Sequence, residues 1–146
     1  MIDLKTQNLL RTIVRREGRS LLQYVADSFP WTDNAGVAPL QRFKQMVDED
    51  RASQAELVRF LGRQRVSAPF LGAYPMGFTS LNFVSFERLF PKLVAAVEKD
   101  AATLTQDLAT FANPEARAAV QKVLDVKRRH LKSLQEMAGS FVPAPH

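Results

Sequence analysis

The chain has 146 residues, a formal net charge of +5 and no cysteine, and this length suits a single domain. The absence of cysteine excludes disulfides, thiolate metal sites, iron–sulfur clusters and cysteine nucleophiles, and it fits a reducing compartment. Apolar residues make up 46% of the chain, but no apolar run approaches the ~20 residues of a membrane span, and the first residues do not have the pattern expected of a secretory signal. We therefore expect a cytoplasmic protein without a membrane segment.

Four amphipathic segments follow one another, each with apolar residues at helical spacing. We predict one helix from each, over about residues 3–27, 38–64, 85–111 and 114–139. Asp3 is a predicted N-cap, and Asn113 followed by Pro114 is the strongest helix start in the chain. Pro91 requires that the third helix either starts near Phe90 or is kinked. We assign residues 1–139 to one bundle domain and residues 140–146 to a flexible tail.

The connection over about residues 65–82 is long, apolar and rich in proline and glycine, which excludes a regular helix. At about 3.3 Å per residue it can run the whole length of a helix, which would make the second and third helices parallel. We therefore predict a four-helix bundle of two antiparallel hairpins joined by one long crossover. The aromatic side chains of the crossover either cover the bundle or form an interface with a second copy or another protein. The interface candidates are Phe70, Tyr74, Phe78, Phe83 and Phe86.

Each apolar stripe is interrupted near its middle by an ionisable residue. These residues are Glu17, Asp50, Asp100, Lys127 and His130. Because the middle of one helix meets the middle of its antiparallel neighbour, we expect the five side chains to converge in the interior. Buried charges need partners. A divalent metal ion is one way to hold the three carboxylates together, and neutralisation by Lys127 and His130 is the other.

Three stretches carry a family resemblance: Glu17 with Tyr24, residues 48–57 around Asp50, and residues 130–134. They are similar to the ligand helices of ferritin-like and rubrerythrin-like proteins. In that family the first and third helices each supply a glutamate, and the second and fourth each supply Glu-x-x-His. The resemblance implies a ferritin-like topology and a site for two iron or manganese ions.

The ligand set that the resemblance implies is incomplete. Ser53 stands at the histidine of the second helix, Lys127 at the glutamate of the fourth, and Asp100, with Glu98 nearby, at the glutamate of the third. At most one oxygen-rich mononuclear site remains. Its candidate ligands are Glu17, Asp50, Asp100 and His130, and the charge of Lys127 opposes a metal there.

We expect a ferritin-like bundle with a structural or interaction role, a metal-free charged core and no cofactor, acting as a homodimer or with another protein through the crossover. The alternative is a metal-binding ferritin-like protein, an iron or manganese oxidase, peroxidase or storage protein, and any enzyme activity would be that of a metal-dependent oxidoreductase. A third possibility is DNA binding by charge, as in Dps-like bundles, and it rests on the net charge of +5 alone. Nucleic acid is disfavoured because no aromatic–basic stripe accompanies the charge.

Overall fold

The computed structural model describes residues 2–28 and 30–141, and these residues are all-helical, without a strand. They form five α-helices: α1 (Leu4–Gly18), α2 (Leu21–Asp27), α3 (Val37–Arg63), α4 (Phe86–Thr110) and α5 (Pro114–Met137). Short 3-10 turns cover Asn34–Gly36, Met76–Leu81 and Ala138–Phe141. The predicted all-α class is confirmed, and most of the predicted tail, residues 142–146, lies outside the described residues. None of the described helices has both the length and the apolar character needed to cross a bilayer.

The prediction of a single helix over residues 3–27 is wrong, because the structure divides this segment into α1 and α2. The backbone of Ser20 is extended, with φ −68° and ψ 159°. The Ser20 hydroxyl accepts a hydrogen bond from the backbone N–H of Gln23 at 3.4 Å and caps α2. A serine hydroxyl competes with the helix for backbone donors. The apolar periodicity continues across the break and therefore does not reveal it.

The two helix starts predicted from capping residues are confirmed. Asp3 accepts a hydrogen bond from the N–H of Thr6 at 2.9 Å at the start of α1. Asn113 accepts one from the N–H of Ala116 at 2.9 Å, and Pro114 is the first residue of α5. These short side chains satisfy backbone donors that a helix leaves unpaired at its N-terminus.

The third predicted helix, α4, starts earlier than the Phe90 alternative, which is therefore wrong. Ser85 is its N-cap and accepts a hydrogen bond from the N–H of Arg88 at 3.4 Å, so the helix begins at Phe86. Pro91 lies inside α4 as an exposed residue. It removes one backbone hydrogen bond near the helix start, and α4 continues through it to Thr110.

The end of α3 is a Schellman motif with an arginine at the position that glycine usually occupies. The N–H of Val66 donates to the carbonyl of Leu61 at 2.9 Å, and the N–H of Arg65 donates to the carbonyl of Gly62 at 3.0 Å. This pair of bonds defines the motif and requires a left-handed residue between helix and connection. Arg65 has φ 58°, a conformation that costs a non-glycine residue energy.

We expect Arg65→Gly to raise the free energy of unfolding by about 1 kcal/mol, because glycine adopts positive φ without the Cβ penalty. Urea denaturation followed by circular dichroism measures the change. Arg59→Gly is the control, since Arg59 is an exposed residue in the interior of α3 and glycine there should lower stability by about 1 kcal/mol. Equal effects of the two substitutions would contradict the role of the backbone angle.

The apolar core consists of two clusters that the ionisable residues separate. The first includes Leu10, Ile13, Leu57, Leu61, Leu104, Leu108, Val120 and Leu124. The second includes Leu22, Val25, Phe43, Met46, Leu89, Leu93, Val97 and Leu134. Along the chain, each of the five interrupting residues falls between a stretch that belongs to one cluster and a stretch that belongs to the other. We call Glu17, Asp50, Asp100, Lys127 and His130 the charged layer.

The connection between α3 and α4 lies along α1 and α2. Arg11 in α1 donates through Nε to the carbonyl of Ser67 at 3.0 Å, and Arg19 donates to the carbonyl of Ala73 at 3.4 Å. Leu71 covers Gly18 so closely that a Cβ there would come within 2.9 Å of the leucine Cδ1. The connection therefore lies against α1 through its main-chain carbonyls and the side chain of Leu71.

Contacts at both ends show which helix termini are neighbours. The rings of Phe43 in α3 and Phe86 in α4 are 5.3 Å apart, centroid to centroid, so these two helices begin at the same end. At the other end, Gln64 after α3 donates to the Glu115 carboxylate in the first turn of α5 at 3.2 Å.

Candidate functional site

The centre of the charged layer is the amino group of Lys127, which α5 places between two carboxylates. Lys127 Nζ lies 3.0 Å from Glu17 Oε2 in α1 and donates a hydrogen bond to Asp50 Oδ1 in α3 at 3.1 Å. None of the three side chains is more than 1% exposed. One cation and two anions from three helices are thus joined in the buried interior.

The carboxylates keep Lys127 charged despite its burial. Burial disfavours the ammonium form, but the attraction of Glu17 and Asp50 outweighs it and raises the pKa of Lys127 above its ordinary value of 10.5. The lysine is therefore a cation at physiological pH, and in that form it has no lone pair for a metal or a nucleophilic reaction.

Glu17 is held by two cations. Its Oε2 lies 3.0 Å from Lys127 Nζ, and both of its carboxylate oxygens are buried. Arg16 Nε lies 3.8 Å from Glu17 Oε1, and the same arginine pairs with Asp107 at 2.7 Å. A buried carboxylate held in this way is highly sensitive to loss of its cation.

A hydrogen-bonded chain leads from Asp50 to the surface. Gln23 in α2 donates to Asp50 Oδ2 at 2.6 Å and accepts from Arg51 Nε at 2.7 Å. Arg51 also donates to Asp27 at 2.7 Å, and the Tyr74 hydroxyl donates to the same carboxylate at 2.9 Å. The buried ion pairs are thereby linked to α2 and to the connection.

His130 pairs with a residue that the sequence analysis did not select. His130 Nε2 lies 2.8 Å from Glu49 Oε2, while its Nδ1 is buried without a hydrogen-bond partner. Burial lowers the pKa of His130 below its ordinary value of 6.5, and the contact with Glu49 acts in the opposite direction. That contact also lowers the pKa of Glu49. A neutral His130 that donates through Nε2 leaves only an acceptor unpaired.

Asp100 lies at the edge of the charged layer. It is half-buried and lines a cavity of about 230 Å³ together with Arg16, Arg19 and Phe78. Burial and the neighbouring Glu17 carboxylate raise the pKa of Asp100 from 3.8 to about 6. Lys127 opposes that rise from a distance. Asp100 thus belongs to the same electrostatic system without a direct ion pair in the described part of the chain.

Of the five residues predicted to converge, the structure joins Glu17, Asp50 and Lys127 directly and places His130 and Asp100 beside them. The partners missed from the sequence are Gln23 and Glu49. Both are polar residues next to the apolar stripes, so periodicity gives no signal for them. Their roles follow only from the helices that face them.

The four candidate metal ligands do not surround a common point. The position between Glu17 and Asp50 holds the Lys127 amine, and His130 faces Glu49. Within the described residues, no group of three or more His, Asp or Glu side chains is placed to hold a metal ion. The residues present therefore fit a lysine-centred ion cluster better than a metal site.

The five aromatic interface candidates divide into exposed and covered residues. Phe70 is 89% exposed and Phe83 is 96% exposed. Tyr74 and Phe78 are half-buried, and their ring centroids lie 5.2 Å and 5.4 Å from that of Tyr24. The choice of Phe86 is wrong, because Phe86 is fully buried in the core as the first residue of α4.

No family model, no curated protein and no solved structure matches this chain. One buried ammonium, two buried carboxylates and a neighbouring His–Glu pair lie between two apolar clusters.

Proposed function

We propose that this chain is a non-enzymatic structural or interaction protein, a ferritin-like four-helix bundle with a metal-free charged core. In this arrangement α1 and α2 together form the first arm of the bundle. α3 returns beside them, the connection runs back along them, and α4 and α5 form the second hairpin.

Contacts along the chain support this topology. The shared starting end of α3 and α4, marked by Phe43 and Phe86, is what a long crossover produces and a short loop cannot. The crossover follows the first arm from Arg11 to Asp27. The start of α5 lies beside the end of α3, through Gln64 and Glu115, as expected for a helix antiparallel to α4.

The observation that carries the metal-free core is the position of Lys127. Its ammonium lies between Glu17 and Asp50, where the resemblance would put a cation. A lysine there supplies positive charge without an open coordination position, and the raised pKa keeps it protonated. Carboxylates neutralised in this way can hold helices in register. The ammonium offers no open coordination position, which a metal ion needs in order to act in oxidation.

We expect the purified chain to contain no stoichiometric iron or manganese, even after expression in medium supplemented with both metals. Elemental analysis by plasma mass spectrometry measures the content, and Asp50→Ala is the matched variant. The metal content of Asp50→Ala should equal that of the wild type. About one ion per chain in the wild type, lost in Asp50→Ala or His130→Ala, would establish the metal-binding alternative instead.

The interaction role is supported by the exposed aromatic residues of the connection and the loop next to it. Among the residues that the structure describes, Phe70, Phe83 and Trp31 are large apolar side chains that stand exposed. Exposed apolar surface of this kind marks protein contacts. We propose that this surface binds a second copy of the chain or another protein.

A further inference from the structure

The cavity of about 230 Å³ beside the charged layer combines charged and apolar lining residues. They are Arg16, Arg19, Ser20, Leu21, Pro75, Phe78 and Asp100. Pro75 is exposed, whereas Arg19 and Asp100 are half-buried, so the cavity lies at the surface of the fold. Its volume is below the ~300–1,000 Å³ of sites for drug-sized molecules, and a ligand that it holds must therefore be small.

Arg19 is a cation whose hydrogen-bonding capacity the fold uses only in part. A guanidinium group has five N–H donors. Arg19 donates through Nη1 to the carbonyl of Ala73 at 3.4 Å, a long distance for such a bond, and its Nε is buried without a hydrogen-bond partner. Among the residues that the structure describes, no carboxylate forms an ion pair with it.

Asp100 is the anion of the cavity, and no described residue forms a direct ion pair with it either. Arg16, the second cation of the lining, is already paired with Asp107 at 2.7 Å. Arg19 and Asp100 are thus opposite charges that line one cavity without pairing with each other. A charge that is partly withdrawn from water needs a partner, and the cavity between these residues leaves room for one.

We propose that this cavity binds a free amino acid with an apolar side chain, with its carboxylate at Arg19 and its ammonium group at Asp100. A small zwitterion satisfies both charges at once, whereas a simple anion would face Asp100 and a simple cation would face Arg19 without compensation. The Ser20 hydroxyl accepts from the N–H of Gln23, and its own hydrogen can be donated to the same ligand carboxylate. This ligand site goes beyond the proposed structural role and does not depend on it.

The apolar part of the cavity is held in place by contacts within the chain. Leu21 is buried, and the ring of Phe78 lies 5.4 Å from that of Tyr24, centroid to centroid. The Tyr24 hydroxyl donates a hydrogen bond to Asn82, which ties the same part of the connection to α2. A wall that is already ordered lowers the cost of binding, and its composition favours an aliphatic ligand side chain over a polar one.

The test is a nuclear magnetic resonance titration of the isotope-labelled full chain with glycine, L-alanine, L-valine and L-leucine. Isocaproate and isopentylamine are matched probes, because they are leucine without its ammonium group and leucine without its carboxylate. We expect L-leucine to give saturable shifts of the Arg19, Ser20 and Leu21 amide signals, with a dissociation constant between ~10 µM and ~1 mM. Both probes should bind at least about tenfold more weakly, since each loses one charge-assisted contact.

Two variants locate the site. Arg19→Gln and Asp100→Asn should each weaken L-leucine binding about tenfold or more. Arg15→Gln and Asp48→Asn are the controls, because they change exposed residues of α1 and α3 that do not line the cavity, and they should bind L-leucine as the wild type does. Circular dichroism verifies that all four variants fold.

The absence of a saturable shift with all four amino acids at ~50 mM, far above the expected dissociation constant, overturns the proposal. An affinity for isocaproate or isopentylamine equal to that for L-leucine also overturns it, because a single charge would then be sufficient. Equal weakening by Arg15→Gln and Arg19→Gln, or unchanged binding in Asp100→Asn, rules out the assigned contacts. None of these outcomes bears on the proposed interaction role.

Discussion

Replacement of Lys127 by methionine should lower the free energy of unfolding by ~3–5 kcal/mol, the loss measured when one partner is removed from a buried ion pair. The methionine fills a similar volume but leaves Glu17 and Asp50 facing each other in the interior without their shared cation. Two like charges at this depth repel and cannot recruit water without opening the core. Urea denaturation at neutral pH, followed by far-UV circular dichroism, measures the loss.

Two further variants separate the ion cluster from a general effect of losing a lysine. Lys132→Met removes an exposed lysine from the same helix and should change stability by less than ~0.5 kcal/mol. The combination of Lys127→Met with Glu17→Gln and Asp50→Asn removes the stranded charges and should recover most of the stability. A loss below ~1 kcal/mol in Lys127→Met, or no recovery in the combined variant, would contradict the charged layer as the electrostatic centre of the fold.

Asp100→Asn should raise the free energy of unfolding at neutral pH by about 2 kcal/mol. In the folded chain the pKa of Asp100 is about 6, against an ordinary 3.8, so the folded state binds the proton more tightly than the unfolded state. The free energy of unfolding contributed by Asp100 therefore falls as pH rises from about 4 to about 6, and above that range the full cost of burying the ionised carboxylate is present. Each pKa unit corresponds to ~1.4 kcal/mol. Because Asp100 is partly exposed, the cost is smaller than the full pKa shift would give.

The quantity to measure is the difference in free energy of unfolding between Asp100→Asn and the wild type, from thermal or urea unfolding at a series of pH values. His130 is present in both proteins, so its contribution cancels. Its lowered pKa makes stability fall as pH falls, which is the opposite of the effect of Asp100. The gain should be present at neutral pH and vanish below about pH 4. Asp48→Asn, at an exposed position of α3, is the control for the loss of one carboxylate. A pH-independent gain would assign the effect of Asp100→Asn to packing.

Much of the local structure was predictable because it depends on neighbours along the chain. Asp3 and Asn113 cap helices through bonds to residues three positions later, so their roles are visible in the sequence. The break at Ser20 obeys the same capping rule, yet it was missed because the apolar stripe continues on both sides. The positive φ of Arg65 could not be predicted, because arginine is not a residue type that favours a left-handed backbone.

The candidate site was predictable in its members but not in its pairing. An ionisable residue within an apolar stripe shares the inward face of its helix, and this pattern selected Glu17, Asp50 and Lys127. Which groups touch depends on the rotation and height of each helix. Glu49 pairs with His130 and Gln23 with Asp50 because facing helices bring them into reach, and neither residue lies on the stripe.

The exposed aromatic surface shows the same division. The positions of the aromatic residues in the sequence were enough to place a cluster of them around the crossover. Whether each ring is covered or exposed depended on the path of the backbone. Phe86 is buried as the first residue of α4, whereas Phe83, three residues earlier, has a positive φ and is exposed.

The order of polar and apolar residues was enough to predict an all-α chain, most helix ends and the set of charges directed inwards, because these depend on spacing along a helix. The partners of those charges, the division of the first helix and the outward position of Phe83 were decided only by the folded chain, because they depend on distances between segments remote in sequence and on the backbone angles that connect them.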